Sequence, residues 1–334
     1  MAPRKSFSDY DMIGPIQRGG MSIVYKAEEI ATSQAQILKI ARNFIKREYY
    51  QHIKSEAKSG SLLCMEPEAE LDPFQLKTEV ELNLVEYLAS EAKILSGNIH
   101  PMFPRFYGFI NEGGWYAIAM EYIGGETLSN LIGNRVKIPL HMAIGIIKET
   151  CTGLKALHES GLVHRDITPG NIIVSKYLGV FDPTVRIIDL GICCGINHKQ
   201  KGPFGIGTPK YIAPEQERNE EVDERTDIFT LGLDLYEMIK EGNPRRHEHT
   251  RVVLEKRRVN SLPPVLHGDI ANRIRAGHNV TLKREIEATY RYLRAITSEM
   301  IAERPEDRFR NVGQLIPLLE KAQKLAFQLA PYEI

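Results

Sequence analysis

The sequence predicts an α+β chain of two folding units. Three observations carry that expectation. The apolar period changes from short β-prone stretches to helical stripes; the change falls at a glycine-marked stretch, Glu121 to Gly125; and 334 residues are enough for about two separate cores. The expected units are residues 1–120, a small antiparallel sheet with one main helix, and residues 121–334, larger and mostly helical.

Between Ile13 and Ile40, the stretches Ile23 to Tyr25 and Gln36 to Ile40 read as strands, separated by glycines and small polar residues as in a hairpin-rich sheet. The charged, weakly periodic stretch 41–78 reads as an insertion. Val80, Leu84, Leu88, Ala92 and Leu95 then recur at helical spacing with charges between them. Phe103 to Ile110 and Trp115 to Met120 read as strands divided by a turn at Asn111-Glu112-Gly113-Gly114. Beyond Gly125, the residues Ile144, Ile147, Cys151, Leu154 and Leu157 form one helical stripe.

Composition excludes some functions. Lysine plus arginine equals aspartate plus glutamate at 43 each, which argues against a nucleic-acid partner held by bulk charge. The N-terminal MAPRKSFSDYDM has no apolar leader, and no apolar run approaches the ~18 residues of a membrane helix. A cytoplasmic protein without a membrane segment is the expectation. Cys64, Cys151, Cys193 and Cys194 contain no CxxC pair, so free thiols are expected rather than a tetrahedral metal site.

The chemistry concentrates in HRDITPGN, residues 164–171, and in Asp189-Leu190-Gly191 after an apolar run. Asp189 and Asn171 supply the hard oxygen donors that magnesium prefers over sulfur or imidazole. Asp166 stands five residues before Asn171, where a carboxylate could orient a hydroxyl and accept its proton. An ordinary polar turn is the alternative. The added asparagine and the DLG favour the chemical reading.

With further motifs in the same order, these residues resemble the protein-kinase family, in its bacterial Ser/Thr form, from about Tyr10 to Glu320. Arg18-Gly19-Gly20-Met21-Ser22-Ile23-Val24-Tyr25 resembles the glycine-rich loop over the nucleotide phosphates. Lys39 in QILKI resembles the phosphate-contacting lysine, and Glu91 in SEAKIL its carboxylate partner. GTPKYIAPE, Gly207 to Glu215, resembles the segment that forms part of a peptide-substrate platform and is lacking in small-molecule kinases. Asp227 and Gly232 in DIFTLG resemble the buried helix that holds the catalytic loop by backbone hydrogen bonds, and Arg308 in PEDRF the arginine that pairs with Glu215.

The resemblance implies a two-lobed kinase fold and γ-phosphoryl transfer from Mg-ATP to a serine or threonine hydroxyl of a protein substrate. Asp166 would position the hydroxyl. Asn171 and Asp189 would hold magnesium, and Lys39, held by Glu91, would set the phosphates in line. Arg18, Gly19 and Gly20 would cover the phosphates. Val24, Ile173, Met120 and the backbone from Glu121 to Ile123 would receive the adenine.

Several positions depart from the family pattern. Gln17 and Ser22 replace two loop glycines, Ile37 replaces a small residue above the adenine, and Thr168 stands where a lysine usually stabilises the transferred phosphate, so slow turnover is expected. Arg165 would normally pair with a phosphate on the activation segment. Gly191 to Gly207 contains no serine, threonine, tyrosine, aspartate or glutamate but carries His198, Lys199 and Lys201, so the expectation is either order from a partner, an acidic substrate or the segment's own packing, or equally a mobile loop with solvated lysines. Arg245, Arg246, Arg251, Lys256, Arg257 and Arg258, opposed only by Glu248 and Glu255, suggest a docking surface for an acidic partner or, more simply, a solvated face. A nucleotide-gated scaffold of weak activity is the competing function, favoured by Gln17, Ile37 and Thr168. A small-molecule phosphotransferase is disfavoured by GTPKYIAPE.

Overall fold

The computed structural model describes residues 4–18, 22–41, 79–134, 136, 138–176, 182–199, 207–239 and 280–329. Gly19, Gly20, nearly all of the expected insertion 41–78 and the basic stretch 245–258 lie outside the described residues. Contacts divide the chain into two units, Met1–Ile123 and Gly124–Ile334.

The first unit is a six-stranded sheet with one helix. Strands β1 (Arg4–Lys5), β2 (Tyr10–Arg18), β3 (Ser22–Glu29), β4 (Gln34–Ala41), β5 (Phe106–Glu112) and β6 (Trp115–Glu121) lie in the order β1-β5-β6-β4-β3-β2. All pairs are antiparallel except β1 with β5. Alternation along the strands sends Leu38, Ile40, Ala117 and Ala119 into a core with Tyr10, Ala27 and Ile110. The helix α1 (Glu79–Ser96) buries Leu88, Ala92 and Leu95 at the predicted spacing.

Two expected boundaries move. The strand expected from Phe103 begins at Phe106, because Phe103 closes a turn by donating its N–H to the His100 carbonyl and the next residue, Pro104, has no N–H to give a ladder. The expected four-residue turn contracts to Gly113-Gly114, with φ of 58° and 83°, while Asn111 and Glu112 pair with Tyr116 and Trp115. A two-residue hairpin whose central residues both have positive φ matches the right-handed twist of its strands.

The second unit is mostly helical. It contains β7 (Glu126–Thr127), α2 (Leu128–Gly133), α3 (Leu140–Glu159), β8 (Leu162–Val163), β9 (Ile172–Lys176), β10 (Thr184–Ile187), β11 (Cys194–Gly195), β12 (His198–Lys199), α4 (Pro214–Glu217), β13 (Glu221–Val222), α5 (Glu224–Ile239), α6 (Val280–Met300) and α7 (Val312–Leu329). The stripe Ile144, Ile147, Cys151, Leu154 and Leu157 is buried on α3, which packs against α7 and α5. Every residue of α5 from Thr226 to Tyr236 is buried, so this helix runs through the core rather than along its edge.

Gly125 has φ 139°, and a Cβ there would lie 2.8 Å from the Val174 carbonyl oxygen, so only glycine lets the chain pass beside β9. Cys151, Cys193 and Cys194 are free thiols; burial pushes the Cys194 thiol up to about 11, against the pull of Arg165, which leaves it mostly protonated and unreactive. Among the described residues, no helix is long and apolar enough to cross a membrane.

Candidate active site

In the first unit, Lys39 sits mid-strand on β4, opposite Val24 of β3 and Ile118 of β6. Ile37, two residues earlier, lies opposite Met120. Directly paired residues share a sheet face, so Val24, Ile37, Lys39 and Met120 line one surface, the surface against which α1 brings Glu91. Lys39 Nζ lies 2.6 Å from Glu91 Oε2, with side chains only 9% and 2% exposed. Removing either partner would leave the other charge buried without this mate. The Glu121 N–H donates to the Arg105 carbonyl at 2.9 Å, and its carboxylate accepts from the Arg105 N–H at 3.1 Å. Ile123 is buried. Arg18 ends β2, while Gly19 and Gly20 lie outside the described residues.

In the second unit, the loop 164–171 is strapped to α5. Asp227 is fully buried and accepts from the main-chain N–H of His164 at 2.9 Å, from that of Arg165 at 2.8 Å and from His158 Nε2 at 2.8 Å. Burial alone would raise the Asp227 pKa. The hydrogen bonds it accepts, first that from His158, outweigh burial and hold the carboxyl below its ordinary value. Burial lowers the pKa of His164, which keeps that ring neutral.

Asp166 is oriented from two sides. Its Oδ2 accepts from Asn171 Nδ2 at 3.0 Å, and its Oδ1 from the Thr208 N–H at 2.9 Å. Asn171 Nδ2 also reaches the Asp166 carbonyl at 2.9 Å, which leaves Asn171 Oδ1 as the free-facing oxygen of that amide. Asn171 immediately precedes β9, and Asp189 follows β10; Ile172 pairs with Ile187, and the Ile188 N–H donates to the Asn171 carbonyl at 2.9 Å. The base of one hairpin therefore carries both residues. Asp189 has φ 66° and accepts from the Gly191 N–H at 3.3 Å. Ile173 lies on β9 opposite Thr127. Thr168 is buried and its carbonyl closes the 3-10 turn on the Asn171 N–H at 2.9 Å, so no cation occupies this position of the loop.

The described part of the segment beyond Gly191 is ordered by the chain's own backbone. Cys194–Gly195 pairs with β8, and His198–Lys199 pairs with β13. Arg165 Nε donates to the Ile192 carbonyl at 2.5 Å. Glu215 and Arg308 form the expected buried pair. Three residues around this loop went unread in the sequence. His158 braces Asp227, Gln216 reaches the Arg165 carbonyl at 3.0 Å, and Asp234 lies fully buried on α5. Only Asp234 left a signal, as a lone charge in the apolar run of α5, seven residues after Asp227 and therefore on the same helix face.

This combination of a sheet-and-helix unit and a helical unit with a loop bound to a buried helix is a protein-kinase fold. Residues 74–314 match the family described as protein kinase domain, and the chain belongs to that family. Lys39 precedes the matched stretch. The chain is similar to serine/threonine-protein kinase PknB of Mycolicibacterium smegmatis, 37% identical over 131 residues, which cover 38% of this chain and 20% of that protein. It is 29% identical to PknB of Mycobacterium leprae over 231 residues, 68% of this chain and 31% of the relative. Serine/threonine-protein kinase pkn2 of Myxococcus xanthus is 24% identical over 235 residues, 69% of this chain and 24% of the relative. The chain thus spans 20%, 31% and 24% of these three relatives' lengths.

Proposed function

We propose that this chain is an ATP-dependent protein serine/threonine kinase, transferring the γ-phosphoryl group of ATP to a serine or threonine hydroxyl of a protein substrate. The observation that carries this reading is the Asp166 carboxylate, held by Asn171 and the Thr208 N–H on a loop fastened to Asp227. A carboxylate oxygen has room for further hydrogen bonds beyond the one it already accepts, so Asp166 orients the acceptor hydroxyl and takes its proton. The new bond joins that oxygen to phosphorus, and the bond that breaks is the one to the ADP oxygen.

Asn171 Oδ1 and the Asp189 carboxylate suit magnesium. Both are hard oxygen donors, the type that magnesium prefers while it keeps water and phosphate oxygens in the rest of its shell. When bound, the ion would neutralise charge on the phosphates. Lys39, fixed by Glu91, contacts the phosphates in this reading, with Arg18, Gly19 and Gly20 over them. Val24 and Met120, on the sheet face that also carries Lys39, offer the adenine an apolar surface. The adenine edge falls to the Glu121 carbonyl and the Ile123 main chain, because the Glu121 N–H is spent on Arg105. Thr168 supplies no charge, which predicts slow turnover. The Ser/Thr names of the similar proteins support the choice of acceptor. A cytoplasmic location and an acidic docking partner at 245–258 belong to the same proposal.

Transfer of label from radioactive ATP to generic protein acceptors tests the reading. Asp166→Ala and Asp189→Ala should each lower the rate about a hundredfold or more. Full activity in the folded Asp189 variant would overturn the assignment.

A further inference from the structure

Arg165 adopts φ 68°, a left-handed backbone that a residue with a side chain keeps only where surrounding bonds over-determine it. Its N–H is held by Asp227 Oδ1 at 2.8 Å and its Nε by the Ile192 carbonyl at 2.5 Å. Its carbonyl, the first half of the peptide that leads into Asp166, accepts from Gln216 Nε2 at 3.0 Å.

Gln216 is 2% exposed and its carboxamide is fixed at both ends, because Oε1 accepts the Ala213 N–H at 3.1 Å. A flipped amide would set two oxygens against each other at Arg165. The same amide borders the turn at Gly207, where φ is 138° and a Cβ would lie 3.3 Å from the Arg165 carbonyl oxygen and 3.5 Å from Gln216 Nε2. The next residue, Thr208, donates its N–H to Asp166 Oδ1. Gln216 is therefore bonded to one of the stretches of chain that orient the Asp166 carboxylate and lies beside the other.

We propose that Gln216 is a positioning residue for Asp166, its carboxamide locking the Arg165 peptide so that the carboxylate faces the acceptor hydroxyl. This rests on the reading of Asp166 as the base. A base displaced by a fraction of an ångström loses rate without losing nucleotide affinity, and displacements of about 1 Å cost up to about a hundredfold.

Gln216→Glu keeps the shape and the acceptor for Ala213 but presents a carboxylate oxygen to the Arg165 carbonyl. Its kcat should fall about tenfold or more, with the KM for ATP within about twofold of wild type. Buried and facing an acceptor, the new carboxyl should have a raised pKa, and once protonated it can donate; the deficit should shrink as pH is lowered from about 8 to about 6. Gln216→Met should show the same kcat loss with no recovery in acid, and it carries the kcat and KM comparison if Gln216→Glu does not fold. A folded Gln216→Glu with wild-type kcat, or a deficit that ignores pH, overturns the proposal alone. A wild type that transfers no phosphate overturns the reading of Asp166, and the proposal with it.

Discussion

Glu215 meets Arg308 through two parallel hydrogen bonds, 2.7 Å from Nη1 to Oε1 and 2.9 Å from Nη2 to Oε2, and both side chains are almost wholly shut from water. The Thr226 hydroxyl adds a bond to Glu215, and Arg308 donates further to the carbonyls of Ala302, Glu303 and Arg225. One ion pair thus ties α4, the start of α5 and the chain after α6 together. Truncating either partner leaves the other charge buried. Arg308→Met or Glu215→Leu should each cost about 3–5 kcal/mol in urea unfolding, and the double variant should cost less than the sum of the two. Additive losses would mean the pair is not the unit of stability.

Asp234 lies on the same buried helix, and neither carboxyl oxygen has a hydrogen-bond partner among the described residues. Burial, reinforced by the nearby Glu237, pushes its pKa well above the ordinary carboxylate value. The folded state therefore keeps a proton that the unfolded chain releases near pH ~4. Stability from this group is full below that pH and is lost as pH rises toward the raised value. Asp234→Asn removes the titration, so its melting temperature should exceed wild type increasingly from acid to neutral pH. Parallel melting curves across that range would rule the account out.

Gly232 sits where α5 touches the end of α6. A Cβ there would lie 2.7 Å from Ile301 Cγ2 and 2.8 Å from Met300 Cβ. Gly232→Ala should destabilise by about 1–3 kcal/mol, since a packed helix contact cannot widen without disturbing its neighbours. Gly133, where an added Cβ would meet nothing within 4 Å, is the control, and Gly133→Ala should be neutral to stabilising by up to about 1 kcal/mol. Equal effects at both sites in thermal melts would show that the close approach is not what requires Gly232.

Legibility followed the range of the forces involved. The helical stripes of α1 and α3 and the strands β3, β4 and β6 were readable because burial on one face imposes a period on neighbouring residues. The beginning of β5 was misread because Phe103 is apolar and buried, yet the bond of its N–H to His100 makes it a turn residue. Around the candidate site, Asp166, Asn171 and Asp189 stood out by spacing, and Asp227 and Arg308 by the company they keep in a familiar order. Gln216 did not, because a glutamine after a helix start is an ordinary surface residue until its amide is seen against Arg165.

From its sequence alone this chain determined its class of fold, its pattern of burial and the identities of the groups suited to phosphoryl transfer, since each depends on residue type and local order. Tertiary structure decided which donor meets which acceptor. The Thr208 N–H on Asp166, the Gln216 amide on Arg165 and the Ile192 carbonyl on the arginine side chain join residues 42, 51 and 27 positions apart. Hydrogen bonds are short-ranged and directional, so such pairings exist only once α5 has gathered the segments, and no period or motif in the chain announces them.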